Sequence, residues 1–145
     1  WDGSNTNKGW TCSRFDGTHA TTPVGDSAIA SAANTASPSW ANGVTPAAAD
    51  SVLIQAILSV QNSDTTVNTW AVATSDPGGW ASVGSTSLSA SAPLNIATSS
   101  TRAAVTSTGN SSATLGAATA DSVCCLLAIS PPVATGNAFF MGANF

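Results

Sequence analysis

The sequence predicts an all-β fold, a β-sandwich or jelly roll of about eight or nine short antiparallel strands. Turn-forming residues recur along the 145-residue chain, as at Asn42-Gly43, Asp76-Pro77-Gly78-Gly79 and Pro131-Pro132. The stretches between these turns are short and rich in Val, Thr, Ile and Trp, which favour strands. The length of the chain indicates a single domain over residues 1–145.

Two apolar runs are the clearest strand candidates. In Ser51–Val60, alternate positions form one apolar face and one mixed face that includes Gln55 and Ser59. In Ser122–Ser130, one face carries Val123, Cys125, Leu127 and Ile129. A helix also fits the periodicity of either run, but the β-branched content favours strands, and two partly apolar faces are typical of central strands.

A short repeat links the two runs. The tetrapeptide Ala-Asp-Ser-Val occurs at 49–52 and again at 120–123, 71 residues later, each time ahead of an apolar run. We expect two related β-units packed face to face, in which Asp50 and Asp121 close the turns into buried strands. This structural role explains both aspartates without a catalytic pair.

The composition excludes several functional classes. Ala, Ser and Thr supply 27, 22 and 19 residues, whereas the charged residues are Lys8, Arg14, Arg102 and seven Asp, for a net charge of −4. Three isolated cations cannot form the basic patch that nucleic-acid binding requires, and no apolar run is long enough for a membrane span. We therefore expect neither nucleic acid nor membrane as a partner. Because the chain starts at Trp1 instead of Met, we expect it to be a piece of a longer polypeptide.

The chain has two low-complexity stretches, Ala28–Ala36 and Ser82–Ser107, and the second points to assembly. The second holds one charge, Arg102, and we expect it to form two short strands with a turn at Pro93. Uncharged strands rich in Ser and Thr lack the charges that keep exposed strand edges from pairing. Neighbouring subunits of a homo-oligomer would cover such edges.

The chain offers few catalytic groups. A serine triad needs a histidine base, but His19, the single histidine, lies in a polar, turn-like segment, and the chain has no G-x-S-x-G motif. Glycoside hydrolysis needs two carboxylates with separated pKa values, whereas all seven Asp lie at turn-like positions. We expect no enzymatic activity, no catalytic residues and no cofactor.

Cysteines and loop oxygens do not form a convincing metal motif. Cys12, the adjacent Cys124-Cys125 and His19 lack the spacing of zinc ligands, and adjacent side chains on a strand point to opposite faces. The loop Asp2–Gly9 has oxygens for calcium, but a solvated loop explains it better, so we expect no metal. Cys12 would bridge Cys124 or Cys125 in an oxidising compartment; reduced cysteines and cytoplasmic folding are the favoured alternative.

Aromatic side chains are the candidates for contact with a partner. The five Trp have two roles open to them, as anchors of the core or an interface, or as a platform on which sugar rings stack. The apolar, uncharged segment Asn137–Phe145 would form a last core strand or a docking arm. The candidate interface or glycan contacts are Trp1, Trp10, Trp40, Phe139, Phe140 and Phe145.

Several segments resemble the β-sandwich modules of tailed-bacteriophage and prophage virion proteins. Those modules have an Asp-Ser turn into an apolar strand followed by a Pro-x-Gly-Trp turn, as in Asp50–Leu58 and Asp76–Trp80. They also have a strand that ends in Gly ahead of a Thr-Thr-Pro-Val segment, as in Arg14–Asp26. The resemblance covers residues 10–130 and departs from the pattern by one extra glycine at Gly78-Gly79. It implies the fold, and it carries no catalytic residues.

We therefore expect a non-enzymatic structural protein of a phage virion, either a capsid decoration protein or a tail or fibre module. Its partners would be copies of itself and other virion proteins, and it would reside in the virion after synthesis in the host cytoplasm. The alternative is a carbohydrate-binding or adhesin module on a virion or cell surface, with a glycan as its partner.

Overall fold

The structure is a computed structural model that describes residues 18, 21–33, 35–60, 67–73, 79–87, 93–102, 105–116 and 121–133. Within these ranges the regular elements are all β-strands. In chain order the strands are β1 (Val24–Ala33), β2 (Ser39–Trp40), β3 (Ser51–Val60), β4 (Val67–Val72), β5 (Ala81–Ser87), β6 (Pro93–Arg102), β7 (Ser111–Leu115) and β8 (Asp121–Ile129).

The strands form two antiparallel sheets. The large sheet has the order β1-β8-β3-β6-β5, and the small sheet has the order β2-β7-β4. The pairing is nested, because β1 pairs with β8, β2 with β7, and β3 with β6. A long hairpin rolled into two facing sheets gives this arrangement, which is the jelly roll. Strand β5 departs from it by pairing with β6 at the edge of the large sheet. The predicted all-β sandwich is confirmed.

Both predicted central strands are present, and they are direct neighbours. Strand β8 pairs with β3 on one side and β1 on the other, and Val52 lies opposite Ile129 while Val60 lies opposite Asp121. The two copies of the Ala-Asp-Ser-Val repeat therefore lead into adjacent strands of one sheet. This corrects the expectation of two units packed face to face. Two long apolar strands bury most surface when each has a strand on both sides, which places them together in the middle of the large sheet.

The core lies between the sheets and has two parts. At one end, Trp40 and Leu115 of the small sheet pack with Ile57 and Cys124 of the large sheet, and Trp70 packs against this cluster. The other part joins residues of both sheets and the loop after β2, with Trp80 packed against it; its buried members are Val44, Leu53, Val72, Leu126 and Ala128. The inward positions of the large sheet are therefore the odd residues of β3 and the even residues of β8.

The turn before β3 depends on Asp50. Its φ is 62°, in the left-handed region that aspartate tolerates better than most residues other than glycine. The Asp50 backbone N–H donates to the carbonyl of Arg102, and the Ser51 hydroxyl donates to the carbonyl of Ala48 over 2.7 Å. The predicted turn role of Asp50 is confirmed, whereas Asp121 is the first residue of β8.

The loop that follows β2 packs closely on the segment before β7. Val44 and Thr108 are joined by two hydrogen bonds: the Thr108 N–H donates to the Val44 carbonyl over 2.8 Å, and the Val44 N–H donates to the Thr108 side-chain hydroxyl over 2.9 Å. A Cβ on Gly43 would lie 2.8 Å from the carbonyl oxygen of Gly109, so only glycine fits at this crossing. The crossing fixes one end of the sandwich.

The Ser-rich stretch forms two paired strands, β5 and β6, as predicted, but the predicted turn at Pro93 is wrong. Pro93 is the first residue of the ten-residue strand β6, a position where the missing N–H of proline costs the sheet little. The first strand of the pair spans Ala81–Ser87. Residues 88–92 lie outside the described residues.

Candidate functional site

Of the six expected contact residues, the structure describes Trp40 alone. Trp40 is 0% exposed, and its indole N–H donates to the carbonyl of Ser122 in the facing sheet over 3.4 Å. Trp40 is thus a core side chain and is not available to a partner or a glycan in this conformation. The other five candidates lie outside the described residues: Trp1, Trp10, Phe139, Phe140 and Phe145.

A buried polar cluster joins the two sheets beside Trp40. The Ser111 hydroxyl donates to Asn42 Oδ1 over 2.5 Å, and the Asn42 amide donates to the carbonyl of Cys124 over 3.1 Å. The Gln55 amide donates from the large sheet to the carbonyl of Ser112 over 3.1 Å. Asn42, Gln55 and Ser111 are each at most 1% exposed, so these bonds are shielded from water. These hydrogen bonds join the loop after β2 to β7 and β8, and join β3 to β7, across the core.

The cluster was not anticipated from the sequence. The hydrogen bonds of the Asn42 and Gln55 side chains span between 57 and 82 residues of the chain, a separation that periodicity cannot detect. The one available signal was the presence of Gln55 and Ser59 inside an apolar run, since polar side chains at inward positions need buried partners. Gln55 Oε1 and Ser59 Oγ have no hydrogen-bond partner within the part of the chain that the structure describes.

Cys124 lies in this cluster and is a poor nucleophile. Burial raises the pKa of its thiol to about 11, although hydrogen bonds from Ser111, Asn42 and Gln55 act in the opposite direction. A thiol with this pKa is protonated near neutral pH and does not attack a substrate. Cys125 occupies the opposite face of β8, where burial also raises its pKa. Among the described residues both thiols are free, and the predicted alternatives for Cys12, a bridge to one of them or a reduced thiol, lie outside the described residues.

The described titratable groups do not form a metal site. Across residues 18–133, leaving out the gaps given above, His, Cys, Asp and Glu do not come together in groups of three or more. The Asp26 carboxylate accepts hydrogen bonds from the N–H of Ser27 over 2.8 Å and of Thr45 over 2.7 Å, which ties β1 to the loop after β2. His19, Cys12 and the loop Asp2–Gly9 lie outside the described residues.

Described residues line two of the concave regions on the surface. One, of about 460 Å³, lies at the end of the sandwich where Thr22, Ala47 and Ser130 meet Pro131-Pro132. The other, of about 310 Å³, is an open groove on the large sheet, between Ile29 of β1 and Cys125 and Leu127 of β8. The described residues that line these two regions are uncharged.

The most extensive candidate site is the side of the large sheet that faces away from the small sheet, which we call the outer face. Its side chains on β3 and β8 are apolar and mostly half-buried, and Ile54 is the most buried at 6% exposed. Ile29 of β1 adds a side chain that is 69% exposed. Asp121 contributes a charge at one end of β8. The β3 and β8 members are Val52, Ile54, Ala56, Leu58, Val123, Cys125, Leu127 and Ile129.

The outer face is a continuous apolar patch, because its side chains lie on two adjacent central strands. Seven of the eight side chains on β3 and β8 are half-buried and Ile54 is buried, while Ile29 beside them is 69% exposed. The groove beside Ile29 continues this patch to the β1 edge of the sheet.

Comparisons with known proteins do not place the chain in a family. Protein-family models, curated proteins and solved structures all yield no match. In the described part of the chain, no helix is long and apolar enough to cross a lipid bilayer.

Proposed function

We propose that this chain is a non-enzymatic structural protein that works through contacts between subunits, as a capsid decoration protein or a tail or fibre module of a phage virion. The observation that carries the proposal is the outer face. Its eight side chains on β3 and β8 are apolar, and Ile29 beside them is 69% exposed. Contact with another subunit removes such a surface from water, which stabilises the assembly by about 25 cal/mol of free energy per Å² of apolar area buried.

The virion assignment has its own support. The segments Asp50–Leu58 and Arg14–Asp26 resemble phage β-sandwich modules, and the nested pairing of the strands is that of the jelly roll, which capsid proteins use. The same architecture serves lectins, so the fold supports the proposal without deciding it.

The chemistry of the described residues supports a structural role over a catalytic one. Cys124 is fully buried with a raised thiol pKa. The Asp26 carboxylate is engaged by two backbone N–H groups, and Asp50 forms a turn. These groups hold the fold together, whereas an active site needs them to face a substrate.

The alternative, a carbohydrate-binding module, draws less support from the tryptophans. A sugar platform needs an exposed aromatic face, but Trp40 is fully buried and Trp70 and Trp80 pack against the core. On this view a glycan site would depend on Trp1 and Trp10, which lie outside the described residues.

Two measurements test the proposal. Light scattering after size-exclusion chromatography should give a mass above the 14.2 kDa of one chain, rising with concentration. A glycan array should stay silent. A single-chain mass at all concentrations up to about 1 mM would overturn the structural proposal. Selective glycan binding that is lost in Trp1→Ala or Trp10→Ala would favour the alternative.

A further inference from the structure

The four edge strands of the sandwich differ in how well they can accept another strand. Natural proteins protect sheet edges with very short strands, bulges, charges or proline. Strand β2 has two residues, and β4 and β5 each have an irregular register, at Val67/Thr69 and at Ser82/Gly84. These three edges are therefore protected.

Strand β1 has little of this protection. It is ten residues long, and its one irregularity lies at its start, between Val24 and Asp26. From Asp26 to Ala33 it follows β8 in unbroken register. This stretch contains no proline, and its one charge, Asp26, is already engaged by the N–H groups of Ser27 and Thr45. The edge from Ser27 to Ala33 is thus long, regular and uncharged.

The side chains of β1 also favour a partner. Ile29 is 69% exposed, the highest value among the exposed large hydrophobic residues of the described chain. It borders the groove that Cys125 and Leu127 line on the outer face. A strand added beside β1 would cover Ile29 and extend the outer face at the same time.

We propose that β1 pairs antiparallel with β1 of a second copy, which joins the two large sheets into one continuous sheet across a two-fold axis. The inference rests on the proposed function and adds a second contact surface, the β1 edge, to the outer face on which that function depends. A second copy fits because alternate residues of an antiparallel edge present their N–H and C=O outward, so two identical edges are complementary under a two-fold axis. Each copy carries a net charge of −4, and a contact over Ser27–Ala33 keeps charged residues out of the paired segment.

Matched lysine substitutions at two edges test the proposal. Ile29→Lys places a charge on β1, whereas Val83→Lys places the same charge on β5, where Val83 is 45% exposed. Sedimentation equilibrium should show dimers of the unmodified chain. The Ile29→Lys dimer should have a dissociation constant at least roughly tenfold higher, because two like charges meet near the two-fold axis. Val83→Lys should match the unmodified chain.

Hydrogen exchange gives a second readout that does not depend on a variant. The outward amides of Ser27–Ala33 should exchange more slowly as the concentration rises. Protection that is the same at every concentration would show that the chain covers its own edge, and it would overturn the proposal. An oligomeric chain whose mass is unchanged by Ile29→Lys would overturn this inference alone, whereas a monomeric unmodified chain would overturn the proposed function as well.

Discussion

Ser111, the first residue of β7, and Asn42, in the loop after β2, form a hydrogen bond of 2.5 Å inside the sandwich, from the Ser111 hydroxyl to Asn42 Oδ1. The same oxygen accepts the Ser111 backbone N–H over 3.2 Å, and the Asn42 amide reaches the carbonyl of Cys124 in the large sheet. One asparagine therefore holds both β7 and β8. In a core with few large apolar side chains, such polar contacts define how the sheets align.

Asn42→Ala should destabilise the fold. The substitution leaves the Ser111 N–H and hydroxyl without their acceptor in a region shielded from water, at a cost of about 1–3 kcal/mol. Urea unfolding followed by tryptophan fluorescence measures the change. Asn110→Ala, at an exposed position two residues beyond Thr108, is the matched control and should stay within about 0.5 kcal/mol of the unmodified chain. Equal stability of the two variants would show that the cluster contributes little.

Gly43→Ala should also be destabilising. The added methyl group would lie 2.8 Å from the Gly109 carbonyl oxygen, a backbone atom, so the crossing of the two loops would have to open. We expect a loss of about 1–3 kcal/mol, read as a lower Tm in calorimetry. Gly116→Ala, at an exposed glycine after β7, serves as the control. An unchanged Tm for Gly43→Ala would mean that the loops adjust freely.

Stability should fall at alkaline pH because of Cys124. Burial raises its thiol pKa from 9.0 to about 11, so between these values the unfolded chain releases a proton that the folded chain retains. The folding stability that this pKa difference contributes is fully present below pH 9 and is lost as the pH rises toward 11. At about pH 10.5 the unmodified chain should lose about 2 kcal/mol more than Cys124→Ala does, each relative to about pH 8. Parallel slopes for the two proteins would contradict the assignment.

The sequence predicted the strands better than their orientation. The runs that became β3 and β8 were found to within one residue at each end, because β-branched residues and flanking turns mark long buried strands. Their more apolar faces, with Val52 and Leu127, nevertheless form the outer face, and the mixed faces with Gln55 and Cys124 form the core. Hydropathy ranks the two faces of a strand by their apolar content. The polar side chains of the inward face are nevertheless buried because they form hydrogen bonds with residues distant in the chain, which hydropathy does not reveal.

The sequence predicted that an uncharged strand edge would take part in assembly, but it did not predict which strand carries that edge. Low charge predicted that the strands of Ser82–Ser107 present an edge suited to assembly, whereas the long and regular uncharged edge in the structure is Ser27–Ala33 of β1. Which edge is unprotected depends on strand order and bulges, and these arise from long-range pairing. For Trp40 the prediction of a contact residue is wrong. This large aromatic side chain fills the thin core instead.

Alkylation of Cys125 tests the central claim most directly, because this thiol lies on the outer face while Cys124 beside it is fully buried. With a neutral maleimide in excess, the Cys125 reaction should slow several-fold between dilute and concentrated protein, as other subunits cover the face. Cys124 should remain unlabelled until the chain unfolds, and Cys125→Ser should remove the concentration-dependent signal. A Cys125 rate that is the same at every concentration, together with a single-chain mass, would contradict the account.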